Sequence, residues 1–98
     1  MKALLNSTAQ SQPADNATQS ETLMRPADVS RMTGLGLSTL YAHIDRGIFP
    51  PPVRLSRRFV VFPSEEVRRI INARVAGHDD DAIRTLVLEL IEARKNRA

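Results

Sequence analysis

The chain has 98 residues, 42% hydrophobic and 4% aromatic, with no cysteine and a formal net charge of +3. That length supports one small domain with tails, not two separate cores. The absence of cysteine excludes disulfides and thiolate chemistry, and no apolar run approaches the ~18 residues needed to span a bilayer.

Charge is distributed unevenly. Between Arg25 and Val75 stand nine arginines, no lysine and four acids, whereas the segments on either side are each slightly acidic. Guanidinium is a permanently charged fork of donors, suited to phosphates and base edges. Lysine would serve solubility equally well, so the exclusive use of arginine points to a nucleic-acid partner.

Met1-Lys2-Ala3-Leu4-Leu5 opens like a signal peptide, but Asn6, Ser7 and Thr8 leave no apolar stretch to follow it. A cytoplasmic, nucleoid-associated protein is expected, without membrane contact. Residues 1–22 are rich in Ser, Thr, Gln, Asn and Ala and lack apolar periodicity. They are expected to form a disordered tail, because they cannot bury enough surface to offset their ordering entropy.

Order is expected from Leu23. Pro26 suits the first position of a helix, where a missing N–H costs nothing. The spacing predicts a helix over Pro26–Thr33, with Val29 and Met32 inward and Gly34 as its stop. A second helix, Leu37 to Arg46, follows with Gly36 at its N-cap and Gly47 at its end. Leu40 and Ile44 lie four apart on its inner face, with Leu37 near them. Ser38 and Ala42 point away, Thr39, Asp45 and Arg46 flank them, and Tyr41 and His43 sit at the boundary. Two short helices joined by a glycine-containing turn read as a helix-turn-helix, or as an ordinary helical hairpin inside a larger core. The small outer face of its second helix admits close approach to a DNA major groove.

Pro50-Pro51-Pro52 forces an extended chain. A rival reading of this run, a polyproline ligand, fits poorly with its apolar flanks. Val53-Arg54-Leu55 and Phe59-Val60-Val61-Phe62 then read as two strands with Ser56-Arg57-Arg58 at the tip. Alone such a hairpin is unstable, so it is expected to lean on the helices through Val53, Leu55, Val61 or Phe62. A hairpin with a basic tip directly after a helix-turn-helix reads as a wing, whose Arg54, Arg57 and Arg58 would reach phosphates or a minor groove; a generic solvated turn is the rival reading of these arginines.

Ser64 is the expected N-cap of a third helix, with Glu65 and Glu66 meeting its dipole and Val67, Ile70, Ile71 and Val75 forming an apolar stripe. Gly77 closes it. Asp79-Asp80-Asp81 beside His78 invites a metal reading, but consecutive helical positions do not converge on one ion. An acidic first turn for a fourth helix, Asp80 to Arg97, is the better account, and no metal or cofactor is expected. Ile83, Leu86, Val87, Leu90 and Ile91 give that helix a stripe. It either caps a core of Val29, Met32, Leu40, Ile44, Val67, Ile70 and Ile71 or pairs with its copy in a homodimer.

The segment from Leu23 to Arg74 resembles the AlpA family of phage-associated regulators, small MerR-like winged helix proteins related to excisionases. The resemblance rests on "TGL" at Thr33–Leu35, "STLY" at Ser38–Tyr41, "GIFP" at Gly47–Pro50 and "PVRL" at Pro52–Leu55. The joint spacing of these motifs is specific; none is specific alone. The chain departs from the family pattern at Gly36-Leu37, at Ala42 and at Val61-Phe62. The resemblance implies a mainly α, MerR-like winged helix-turn-helix over residues 23–76 with a two-stranded wing, followed by an extra helix in 77–98. It also implies that Ser38, Thr39, Tyr41 and Ala42 meet DNA, with Arg54, Arg57 and Arg58 on the wing; His43 and Arg46 complete the candidate set.

The implied function is sequence-specific binding of double-stranded DNA and transcriptional regulation in a prophage or mobile element, with RNA polymerase or an integrase as a further partner. An excisionase-like directionality factor that bends DNA is the alternative on the same fold, and a protein–protein adaptor that has lost DNA binding is another. An enzyme is not expected: His43 and His78 are the only histidines, and neither has an acid spaced to make it a base.

Overall fold

In the computed structural model, which describes residues 21–97, the chain runs β1 (Leu23–Met24), α1 (Pro26–Thr33), α2 (Leu37–Asp45), β2 (Val53–Ser56), β3 (Phe59–Pro63), α3 (Ser64–Val75) and α4 (Asp80–Arg94). The architecture is a small winged helix-like domain, mainly α. α1 and α2 pack on one another, β3 rests on α1 and α3, and α3 packs along α4. Most of the expected tail, residues 1–20, lies outside the described residues.

Local chemistry accounts for the helix-turn-helix. Pro26 opens α1, and Gly34 closes it at φ 79°, its N–H donating to the Ser30 carbonyl at 2.9 Å. That left-handed conformation suits glycine, which has no Cβ to clash. The turn is tied from both sides: the Ser30 hydroxyl donates to the Leu35 carbonyl, and the Leu35 N–H donates to Thr33 Oγ1 at 3.2 Å. α2 is too short to be stable alone in water. It holds because Leu40 is completely buried, with Ile44 packed against the same core.

The core joins Val29, Leu40, Ile48, Phe49, Phe62, Val67 and Ile70 to Ile83, Val87 and Leu90 of α4. The fourth helix is therefore part of the same hydrophobic cluster. Phe49 and Phe62 meet edge to face, with centroids 5.9 Å apart. Ile48 and Phe49 take a central place that the helical stripes did not indicate. Gly47, at φ 77°, turns the chain back after α2, and buried Pro50 keeps it extended. Met32, expected inside, is 42% exposed, and Ile44 and Ile71 are only half-buried. The core is built instead with residues from the sheet and from α4, among them Phe62, Ile83 and Val87.

The sheet has three antiparallel strands in the order β1-β3-β2, not the two of a bare wing. Leu23 pairs with Pro63 and Met24 with Phe62. Ser64 is correspondingly not an N-cap: Pro63 takes that position, and Ser64 is the first helical residue. The Ser64 N–H donates to the Thr22 carbonyl at 2.8 Å, and its hydroxyl accepts from the Thr22 N–H at 2.9 Å. This reciprocal pair extends the β1–β3 ladder into the start of α3, so Thr22, assigned above to the tail, belongs to the ordered domain. On the other edge Val53 faces Val61, Arg54 faces Val60 and Ser56 faces Phe59, with a bulge at Leu55. The bulge breaks the strand alternation. Leu55 is consequently 53% exposed instead of leaning on the helices, while Val61 and Phe62 are buried as expected.

α4 ends at Arg94, short of the expected Arg97. Asp79 caps it, with Oδ1 accepting from the Ala82 N–H at 2.9 Å. Beyond the helix, the Arg97 guanidinium grips both carboxylate oxygens of Glu21 at 2.7 and 2.9 Å. Among the described residues no helix is long and apolar enough to cross a membrane.

Candidate nucleic-acid interface

Burying Leu40 dictates what α2 shows to solvent. Ser38, Thr39, Tyr41 and Ala42 are all exposed, as the helical phase requires. Leu37, expected near the inner face, is instead 48% exposed beside Tyr41, one turn further on and 40% exposed. The outer face of α2 thus combines small polar positions with a modest apolar strip.

His43 and Arg46 are placed differently. His43 is half-buried and lines a cleft of about 360 Å³ with Leu35, Ile70 and Ile71. Arg46 turns toward α4: its guanidinium pairs with Asp80 Oδ2 at 3.1 Å, and its carbonyl accepts from Arg84 Nε at 3.0 Å. Asp80 also pairs with Arg74 at 2.8 Å, and the hydrogen bond from Arg74 holds its carboxyl below the ordinary carboxylate range. The acidic run before α4 therefore serves as a helix cap and as a tie to the C-terminal ends of α2 and α3.

On the wing, Arg54, Arg57 and Arg58 are exposed. Arg54 Nη1 donates to the Arg57 carbonyl at 2.6 Å and braces the tip. No residue other than glycine takes a positive φ among the described residues. The tip accordingly lacks the paired left-handed residues of the tightest hairpins, and the bulge at Leu55 takes up the mismatch.

Partnering separates the arginines into two groups. Arg31, Arg46, Arg74, Arg84, Arg94 and Arg97 each pair with a carboxylate, whereas among the described residues Arg25, Arg54, Arg57, Arg58, Arg68 and Arg69 do not. The wing arginines thus form a patch of positive charge without an ion pair among the described residues. Arg25 joins that patch from the start of α1. It stands 34 positions before Phe59 in the chain, and no local pattern relates the two; only the three-stranded sheet brings them together.

Residues 22–75, which span β1 through α3, match the family described as "Prophage CP4-57 regulatory protein (AlpA)". The chain belongs to the AlpA family of prophage regulatory proteins. It is also 37% identical over 65 residues to an uncharacterized protein, ORF88, of Enterobacteria phage P4, a match covering 66% of this chain and 73% of that one. No solved structure matches it. The AlpA region stops at the end of α3, so α4 lies beyond the match although its apolar face completes the core.

Proposed function

We propose that this AlpA-family protein is a sequence-specific DNA-binding regulator of a prophage or mobile element. In this reading α2 enters the major groove with Ser38, Thr39, Tyr41 and Ala42 toward the base edges. The wing lays Arg54, Arg57 and Arg58 on the adjacent backbone or minor groove. The observation that carries the reading is the set of exposed wing arginines without carboxylate partners among the described residues. A fold that pairs half of its arginines with acids but leaves all three on the wing without a carboxylate among the described residues has charge available for phosphates. Arg46 is the weakest member of the candidate set, because using it on DNA requires breaking its pair with Asp80. The protein acts by binding alone, with RNA polymerase or an integrase as the machinery it directs.

Duplex titrations at several salt concentrations test this. Three to five phosphate contacts give a slope of log K against log salt of about −3 to −4.5. Arg57→Ala with Arg58→Ala reduces the steepness by about 1.8 and weakens binding to all sequences alike, whereas Ser38 or Tyr41 substitutions alter sequence preference. Absence of duplex affinity at low salt would refute the reading. Selection of bound fragments from the host genome, followed by a reporter assay beside an integrase gene, then separates transcriptional control from a directionality factor.

A further inference from the structure

We infer that Arg25 locks the wing rigidly against the helix-turn-helix, which makes it a positioning residue for DNA binding. The inference rests on the proposed function only for its consequence at DNA; the lock itself is a property of the fold.

Arg25 lies where the two modules meet. Its backbone belongs to α1: the carbonyl accepts from the N–H groups of Asp28 at 2.9 Å and Val29 at 3.1 Å, and its own N–H donates to Asp28 Oδ2 at 3.4 Å. The residue before it, Met24, pairs with Phe62 of β3. Its main chain is thereby held at the first turn of the helix-turn-helix. Its side chain belongs to the wing: the guanidinium carbon stands 4.0 Å from the centroid of the Phe59 ring, and Nη1 donates to the Val60 carbonyl at 2.9 Å. Asp28, the nearby acid, is occupied by the Arg25 N–H and by Arg31, so the Arg25 guanidinium is directed to the wing without a carboxylate partner among the described residues.

Phe59 is the first residue of β3, directly after the Arg57-Arg58 tip, and its partner across the ladder is Ser56. The stretch from Arg54 to Phe59 is exposed throughout. A two-stranded ribbon that projects with little packing is marginal, and its tip samples many directions unless something fixes its base. The planar guanidinium can stack on a ring through its face and donate through its edge together; an ammonium can do one or the other. A wing held in place in advance loses less freedom when its arginines engage phosphates.

The test compares wild type, Arg25→Lys, Phe59→Leu, Arg57→Ala/Arg58→Ala and their combinations, with urea unfolding used to keep only folded variants. Backbone ¹⁵N relaxation is the readout that needs no ligand. The amides of Arg57 and Arg58 are expected to fall from order parameters of about 0.85 toward 0.6 in Arg25→Lys and in Phe59→Leu. Duplex binding is expected to weaken about three- to tenfold in each, with an unchanged salt slope. It should weaken no further when either change is added to Arg57→Ala/Arg58→Ala, because the wing is then already disabled. Unchanged wing order parameters would overturn the lock. A salt slope shallower by about 0.9 in an Arg25→Ala variant would show instead that Arg25 itself contacts phosphate. A loss that adds fully to the wing double variant would likewise refute action through the wing. If wild type does not bind duplex at all, the proposed function falls, while relaxation still decides whether Arg25 holds the wing.

Discussion

Replacing Arg94 by Met removes a buried polar connection between α4, α3 and the linker after α2. The Arg94 guanidinium donates to both oxygens of Glu66, at 2.9 and 2.6 Å, and to the Pro51 carbonyl at 2.8 Å. The Glu66 side chain is 5% exposed and that of Arg94 20%. The variant therefore strands a carboxylate where water cannot replace its partner. Breaking a buried pair from one side costs about 3–5 kcal/mol, against a total of about 4–12 kcal/mol for a domain of this size. Urea unfolding followed by far-UV circular dichroism should show the midpoint lowered by about 2–4 M with an unchanged slope. Replacing both partners, Glu66→Met with Arg94→Met, should recover at least half of that loss, because no charge is left buried. A single variant within about 1 kcal/mol of wild type, or a double variant no better than the single, would refute the argument.

Leu40→Ala should cost about 2–5 kcal/mol in the same assay, and Met32→Ala under about 1 kcal/mol, since Leu40 is fully buried and Met32 is 42% exposed; equal losses would mean that the helix-turn-helix packs otherwise. Gly34→Ala should cost about 1 kcal/mol from backbone strain alone, because φ is 79° while a Cβ there meets nothing within 4 Å; a neutral result would refute the left-handed cap. The carboxyls of Glu21 and Asp80 are held below their ordinary values of 4.5 and 3.8, mainly by hydrogen bonds from Arg97 and Arg74 respectively. A lowered folded-state pKa contributes stability that is present above those ordinary values and lost as pH falls through the lowered ones. Melting temperature should therefore drop below about pH 4.5, and drop less steeply in Glu21→Gln/Asp80→Asn; an identical pH dependence in that variant would refute the assignment.

Much of the fold was legible because it depends on neighbours in the chain. Pro26, Gly34, Gly36 and Gly47 punctuate the two short helices through φ preferences and missing donors, which act within a residue or two. The change to β-branched and aromatic residues after the prolines marked the wing, and Asp79 to Asp81 marked the start of α4. The exposure of Ser38, Thr39 and Ala42 followed from helical phase once Leu40 was read as inward.

Long-range partners were not legible. Leu23-Met24 is too short to announce a strand, and it forms one because β3 offers it a ladder. Ser64 has the chemistry of an N-cap, but Thr22 claims its hydroxyl. Met32 and Leu37 fit apolar stripes yet stay exposed, while the interior is built with Ile48, Phe49 and the apolar face of α4. Which arginines are neutralised, and that Arg25 stacks on Phe59, depend on contacts between residues far apart in the chain. The sequence alone therefore placed the helices and the wing in order along the chain, though not every end residue, since dihedral preference and apolar periodicity are local. The tertiary structure alone decided which charges remain open and what holds the wing, since those depend on which surfaces meet when the core closes.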